Sequence, residues 1–317
     1  MIGIKTILVP VDFSEPSKTA VNYGLSLALQ FNARLVLTHI VHAASPIIYN
    51  FPTQSYAFET AQSKFATETL PTLVPAEFRE RVNLQTIVKV GEVRSELLQI
   101  VSDEQVDLVV MGTHGKNAFE RVLLGSLTER MLRQIPVPIL TVSHLDPARE
   151  LHVAGPVPLN HILYATDLSD NADVALKFSI ELARGTGARL SVLHVLQTID
   201  TIYWGAEGGY LGEEMQTLRD DALQCLHSSI PERGQCKGVQ VTPIMVDGDP
   251  YREILRVADE EKVDLVVMNM HGKGFVERTL LGSTAEKVIR SAHVPVLSIP
   301  APAEYATRLL LATDSAA

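Results

Sequence analysis

Cysteine is scarce in this sequence: Cys225 and Cys236 are the only two among 317 residues. Two thiols cannot build the disulfide framework of a small secreted domain or the four-ligand set of a structural zinc site. Reduced thiols in a cytoplasmic protein are the expectation. Positive charge is also in deficit, with 27 Lys and Arg against 37 Asp and Glu, a formal net charge of −10. That argues against a general binder of nucleic acid or of anionic membrane, which needs a basic surface. No apolar run reaches the roughly 20 residues of a membrane span. The N-terminus enters a strand-like segment directly, without the basic region and long apolar core of a secretory leader. Motifs are missing too. No Gly-x-Gly-x-x-Gly follows the first strand, no Gly-x-x-x-x-Gly-Lys-Ser/Thr is present, and no Gly-x-Ser-x-Gly elbow occurs. Dinucleotide-binding, P-loop and hydrolase-elbow chemistries are therefore unsupported. No nucleophile stands paired with a base.

What is present is a repeat. Residues 106–143 and 263–300 align without a gap at an offset of 157, with 20 of 38 positions identical. Thr6-Ile-Leu-Val-Pro-Val-Asp12-Phe-Ser has its counterpart in His161-Ile-Leu-Tyr-Ala-Thr-Asp167-Leu-Ser. Two copies of one domain follow, at 1–144 and 159–301, joined by a linker at 145–158 that contains Gly155-Pro-Val-Pro. The tail, 302–317, carries Leu309-Leu-Leu-Ala-Thr-Asp314, which resembles the opening strand of a third repeat.

Within each copy, short β-branched runs alternate with amphipathic stretches. The first copy reads as strand 5–12, helix to about Phe31, strand 33–41, a long loop from His42 to Ser55 and a helix over 56–70. Strand 82–90, helix 94–104, strand 106–111, helix from Ser126 and strand 137–143 follow. Such alternation predicts an α/β fold with a parallel sheet covered by helices on both faces. Ligands of such sheets bind at the carboxyl ends of the strands. Asp12 and Gly112 both fall at strand ends.

The chemistry concentrates in Gly112-Thr-His114-Gly115, nine residues, then Gly125-Ser126, and in its counterpart Asn269-Met-His-Gly272, nine residues, then Gly282-Ser283. A glycine-rich loop between a buried strand and a helix suits phosphate, because no Cβ obstructs the backbone and the helix dipole favours negative charge. The glycines are expected to shape a turn that uses positive φ. Ser126-Leu-Thr-Glu129 and Ser283-Thr-Ala-Glu286 also read as capping boxes, which would start a helix without any ligand. Asp12 and Asp167 either accept from a ligand donor or cap the following helix. His114 and His271 either orient phosphates or pack the loop. His39 and His194, on the second strand of each copy, are expected to be structural rather than metal ligands.

These residues resemble the universal stress protein family: Pro10-Val-Asp12, a His-Ile pair ending the second strand, and Gly112-x2-Gly115-x9-Gly125-Ser126, all within a repeat that spans nearly the whole chain. The resemblance implies two tandem doubly wound domains, each a five-stranded parallel sheet in the order 3-2-1-4-5. It implies pairing of the two domains through their last strands, with a homodimer as a further possibility. It implies a stress-response protein that binds ATP, with Mg2+ as companion of the phosphates, and hydrolyses it slowly or not at all. By matching positions the first site would comprise Pro10, Val11, Asp12, Ile40, Met111, Gly112, His114, Gly115, Gly125, Ser126, Leu127 and Thr128. The second would comprise Ala165, Thr166, Asp167, Val195, Met268, Asn269, Gly272, Gly282, Ser283 and Thr284. Asn269 departs from the pattern by replacing the first glycine, and is expected either to crowd the ligand or to add a hydrogen bond. Two other functions compete: a weak ATPase or phosphotransferase helped by His114 or Asp12, and a scaffold for a non-nucleotide ligand.

Overall fold

The computed structural model describes residues 3–42, 52–113, 125–143, 159–169, 172–197, 210–231, 236, 238–270 and 281–300. The chain divides into two compact units that part between Val157 and Pro158. The first contains β1 (Thr6–Pro10), α1 (Glu15–Phe31), β2 (Arg34–His42), α2 (Pro52–Thr69), a 3-10 turn (Leu70–Leu73), α3 (Ala76–Arg79), β3 (Asn83–Gly91), α4 (Val93–Asp103), β4 (Leu108–Gly112), α5 (Ser126–Gln134) and β5 (Ile139–Val142). The second contains β6 (His161–Thr166), α6 (Ala172–Thr186), β7 (Arg189–Leu196), α7 (Tyr210–Ser229), β8 (Val241–Asp247), α8 (Pro250–Glu260), β9 (Leu265–Asn269), α9 (Ser283–Ser291) and β10 (Val296–Ile299).

In the first unit the strands lie in the order β3-β2-β1-β4-β5, and in the second the order is β8-β7-β6-β9-β10. The pairings within each unit are parallel. This is the 3-2-1-4-5 arrangement expected, once per unit. The central strands are apolar on both faces because helices cover both: Ile7, Leu8, Val9, Leu35, Val36 and Leu37 are all fully buried. Each such side chain contributes about 2 kcal/mol over its exposed state. Among the described residues no helix is long and apolar enough to cross a membrane.

Local signals explain the boundaries. Ser14 caps α1 by accepting from the Ser17 N–H, and Pro16 suits the first turn. Asn32 ends α1 in the left-handed region at φ 52. The expected loop reaching Ser55 is shorter at its far end, since α2 begins at Pro52, where proline's missing N–H costs the helix nothing. The strand-like tail segment at 309–314 lies outside the described residues.

One residue per unit fastens β1 or β6 to its neighbour and was not anticipated. The Asp107 carboxylate accepts from the N–H groups of Lys5 (2.8 Å) and Thr6 (3.0 Å). Asp264 does the same for Asn160 (2.8 Å) and His161 (3.0 Å). Each aspartate thereby satisfies two backbone donors at the start of a central strand.

Candidate functional site

The crevice at the carboxyl ends of β1 and β4 gathers most of the expected residues. Pro10 ends β1, and the Val11 N–H continues the ladder onto the Thr38 carbonyl at 2.7 Å. The Val11 carbonyl accepts from His39 Nδ1 at 2.6 Å, and in the second domain the Thr166 carbonyl accepts from His194 Nδ1 at 2.9 Å. Both histidines thus hold the strand end from which the aspartate departs, which is the structural role expected of them. Both Nδ1 atoms must carry the proton.

Asp12 does not cap α1. Its Oδ1 accepts from the Ser14 N–H (3.0 Å) and hydroxyl (2.5 Å), and Ser14 is the cap. Asp12 therefore orders the capping residue, and Asp167 accepts the Ser169 N–H at 3.1 Å in the same way. Between them Phe13 and Leu168 adopt φ 64 and φ 54, unusual for side chains of their size. Phe13 is held there by ring contacts to His39 (4.8 Å between centroids) and Phe65 (5.3 Å). Ile40 lies on β2 and is nearly buried, while Val195, its counterpart on β7, is half-buried.

The glycine loop is anchored identically in both units. The Thr113 N–H donates to Val142 O (3.1 Å), and the Thr113 carbonyl accepts from Gly125 N (2.8 Å). Met270 occupies the same node, donating to Ile299 O (2.9 Å) and accepting from Gly282 N (2.8 Å). One hydrogen bond thus closes each loop at its base. His114 and Gly115 in the first loop, and Gly272 in the second, lie outside the described residues.

Two expectations about this stretch are corrected. Gly112 is the last residue of β4, at the strand end where it was expected, but it is not among the glycines with positive φ. Its need for glycine is steric: an added Cβ would stand 2.7 Å from Pro16 Cβ and 2.9 Å from the Pro16 carbonyl carbon on α1. The capping boxes do not form either. The N-cap of α5 is Gly125 (φ −57, ψ 135) and that of α9 is Gly282 (φ −60, ψ 138), and neither helix has a side-chain cap. Ser126 and Ser283 sit one residue inside the helix, where their hydroxyls cannot accept as an N-cap does. Glu129 and Glu286 turn forward instead to Arg133 (2.9 Å) and Arg290 (2.5 Å), one helical turn on.

The consequence is chemical. The first three N–H groups of each of these helices, at Ser126, Leu127 and Thr128 and at Ser283, Thr284 and Ala285, have no intrahelical acceptor, and among the described residues no side chain caps them. By contrast α1 is capped by Ser14, α4 by Glu92 and α8 by Asp249. Amides left open at a glycine-led helix start form a surface for an anion, reinforced by the helix dipole. Thr128 is buried and directs its hydroxyl to the Gly112 carbonyl at 3.0 Å, so it ties the helix to the strand rather than offering its side chain to a ligand. Met111 and Met268 are buried strand residues. Ala165 and Thr166 are also buried, and the Thr166 hydroxyl accepts from the Leu168 N–H at 3.0 Å. Among the described residues, no group of three or more His, Cys, Asp or Glu is arranged to hold a metal.

The comparisons with known proteins agree with this architecture. The model of the universal stress protein family matches residues 3–143 and again 158–300. A universal stress protein of Methanocaldococcus jannaschii is 34% identical over 143 residues, covering 44% of this chain and 82% of its own. Another, from Mycolicibacterium smegmatis, is 26% identical over 301 residues, covering 92% of this chain and 96% of its own. The crystal structure of a universal stress protein from Archaeoglobus fulgidus shares the fold, with a TM-score of 0.65 at 20% identity over 94% of this chain and 98% of that one. With the family's domain matched twice along its length, the chain belongs to the universal stress protein family as a tandem of two such domains.

Proposed function

We propose that this protein is a stress-response regulator that binds ATP at the carboxyl edge of its sheets, foremost in the first domain, and turns it over slowly or not at all. The observation that carries this reading is the uncapped start of α5, three open amides behind a glycine N-cap at the end of a loop closed by Thr113 and Gly125. These amides suit the phosphates, with the exposed Ser126 hydroxyl beside them. The strand ends at Val11, Asp12 and Ile40 suit the nucleoside, where the carboxylate accepts from a ribose or base donor. Mg2+ enters with the phosphates, held by them and by water.

Hydrolysis would need a positioned base for the attacking water. Asp12 is engaged with Ser14, which favours binding over turnover. Nucleotide occupancy would then act through the loop and its helix, whose open amides gain acceptors only when the ligand is bound.

The test is Gly125→Asp. The backbone at Gly125 is extended, which any residue adopts, and aspartate is a preferred N-cap. The substitution should stabilise the first domain by a few tenths of a kcal/mol, because glycine is already a fair N-cap. It should also weaken ATP binding there at least tenfold, because a carboxylate then occupies the phosphate position. ATP affinity unchanged in a folded Gly125→Asp protein, measured by calorimetric titration, would refute the reading. A chain that binds an apolar ligand and no nucleotide would favour the scaffold alternative.

A further inference from the structure

Each domain ends its sheet on the same strand, β3 in the first and β8 in the second. The outer edges of these two strands differ. Along a strand, the N–H and C=O of one residue point to one side and those of the next residue to the other. The Arg34 N–H donates to the Lys5 carbonyl and the Thr38 carbonyl accepts from Val11, so these residues of β2 face β1. Leu35 and Leu37, between them, face β3. Leu35 lies opposite Leu84 and Leu37 opposite Thr86, so Asn83, Gln85 and Ile87 bond back to β2. The Thr38 hydroxyl, which reaches the Ile87 carbonyl at 3.0 Å, agrees with that direction. The backbone groups of Leu84, Thr86, Val88 and Val90 therefore point out of the sheet. Among the described residues none of these four outward groups has a hydrogen-bond partner.

The second domain guards this edge. The Leu190 N–H donates to the Gln240 carbonyl, so Leu190 faces β8, and Val241, opposite it, faces outward, as does Pro243. Pro243 lies opposite Val192, the counterpart of Leu37, and so holds the place of Thr86. Its missing N–H falls on the outer side, where it blunts the edge without costing the sheet a bond. Asp247 holds the place of Val90 and pairs with Arg219 of α7. The first domain has neither device. β3 runs nine residues without proline, and Val90 is 44% exposed. Its one charged residue, Lys89, is drawn to Glu96 on α4 at 3.8 Å.

An open edge of this length is a template for another strand. The sequence of β3 is its own complement. With two copies antiparallel about Ile87, Thr86 lies opposite the second copy's Val88 and Leu84 opposite its Val90. Those outward residues then exchange both backbone bonds with their opposites. On the other face Ile87 meets itself and Gln85 meets Lys89, so apolar and β-branched pairs form and no like charges oppose. A two-fold axis at Ile87 also closes the assembly at two copies, because both use the same edge.

We infer that the outer edge of β3 is an association surface for a second copy of this chain, joined antiparallel about Ile87, and not through the last strand of a domain. Sedimentation equilibrium of the full chain tests it. The wild type should show about twice the 34.7 kDa of one chain. Thr86→Pro, which carries the residue of β8 to the open edge, should return the mass to that of one chain. It removes only an outward N–H, so the pairing of β3 with β2 stays. Ile87→Cys in a Cys225→Ser background gives a second reading without proline. Opposite positions of this kind stand about 4.5 Å apart at Cα, within disulfide reach, so air oxidation should yield a covalent dimer. An assembly that Thr86→Pro leaves intact would overturn the inference, as would Ile87→Cys that does not cross-link should the proline variant fail to fold. A wild type of single-chain mass would overturn it too. If its Thr86 and Val88 amides were still protected from hydrogen exchange, a segment of the same chain would be the occupant of this edge instead.

Discussion

In the first domain the Thr128 hydroxyl ties the opening turn of α5 to the Gly112 carbonyl, and in the second Ala285 stands in its place with no hydroxyl to offer. Beneath the first helix the contrast is wider, with Gly112 and Val9 in one domain and Asn269 and Tyr164 in the other. Yet the glycine N-caps, the loop bases and the aspartate clamps at Asp107 and Asp264 are the same in both. Side-chain packing has diverged while backbone groups at the crevice have not. A ligand held mainly by backbone amides tolerates such divergence, because side chains can be exchanged behind a surface that only the main chain presents.

The strongest way to break the comparison is to move the second domain's residue into the first. Gly112→Asn places a side chain against the Pro16 backbone, where no flexible end can yield. It should destabilise the first domain by about 2–3 kcal/mol, the cost of overpacking. Chemical denaturation should show that domain's transition move while the other stays. Loss of ATP binding in this variant would therefore report damaged packing, not a role for Asn269 in discriminating ligands. If Gly112→Asn folds with full stability, the steric account of this glycine is wrong.

A smaller effect separates the domains by pH. His161, where the first domain has Thr6, is buried between Ser191 Oγ (2.8 Å from Nε2) and Arg189, whose Nη2 lies 2.9 Å from Nδ1. Burial pushes its pKa below the ordinary histidine value; the Glu261 carbonyl pulls the other way, and the Arg189 charge adds to the lowering. The folded state therefore keeps the ring neutral while the unfolded chain protonates it. Between the folded and unfolded pKa values the unfolded state binds more protons, so stability rises with pH in that window and is lost as pH falls through it. The second domain should keep this contribution above about pH 6.5, the ordinary histidine pKa, and lose it as pH drops further toward the folded pKa. His161→Thr should flatten this dependence in thermal melts taken between neutral and mildly acid pH. An unchanged slope would show that His161 does not carry it.

Much of this was legible in the sequence, for identifiable reasons. Runs such as Val106-Asp-Leu-Val-Val-Met111 are apolar on both faces, so they mark central parallel strands, and the gapless repeat doubled every such signal. The capping register was not legible. Ser126-x-x-Glu129 satisfies the pattern of a capping box, and only the extended backbone of Gly125 moves the cap back by one residue and leaves the serine inside. The steric need for Gly112 was hidden because it depends on Pro16, nearly a hundred residues away in the chain. The aspartate clamp did have a signal: a carboxylate in an otherwise apolar run, repeated in both copies, has to find donors where it is buried. The roles of His39 and His194 followed from their place on a strand, while their partners, the Val11 and Thr166 carbonyls, became visible only with the sheet assembled.

In the proposed function, open backbone amides at the start of α5, rather than side chains, receive the phosphates. Amide resonances of the intact protein during ATP titration test it most directly. The largest shifts should fall on Ser126, Leu127 and Thr128, while Arg94 and Ser95, whose amides are already capped by Glu92, should stay in place. Saturation by ATP with the Ser126, Leu127 and Thr128 amides unmoved would contradict it.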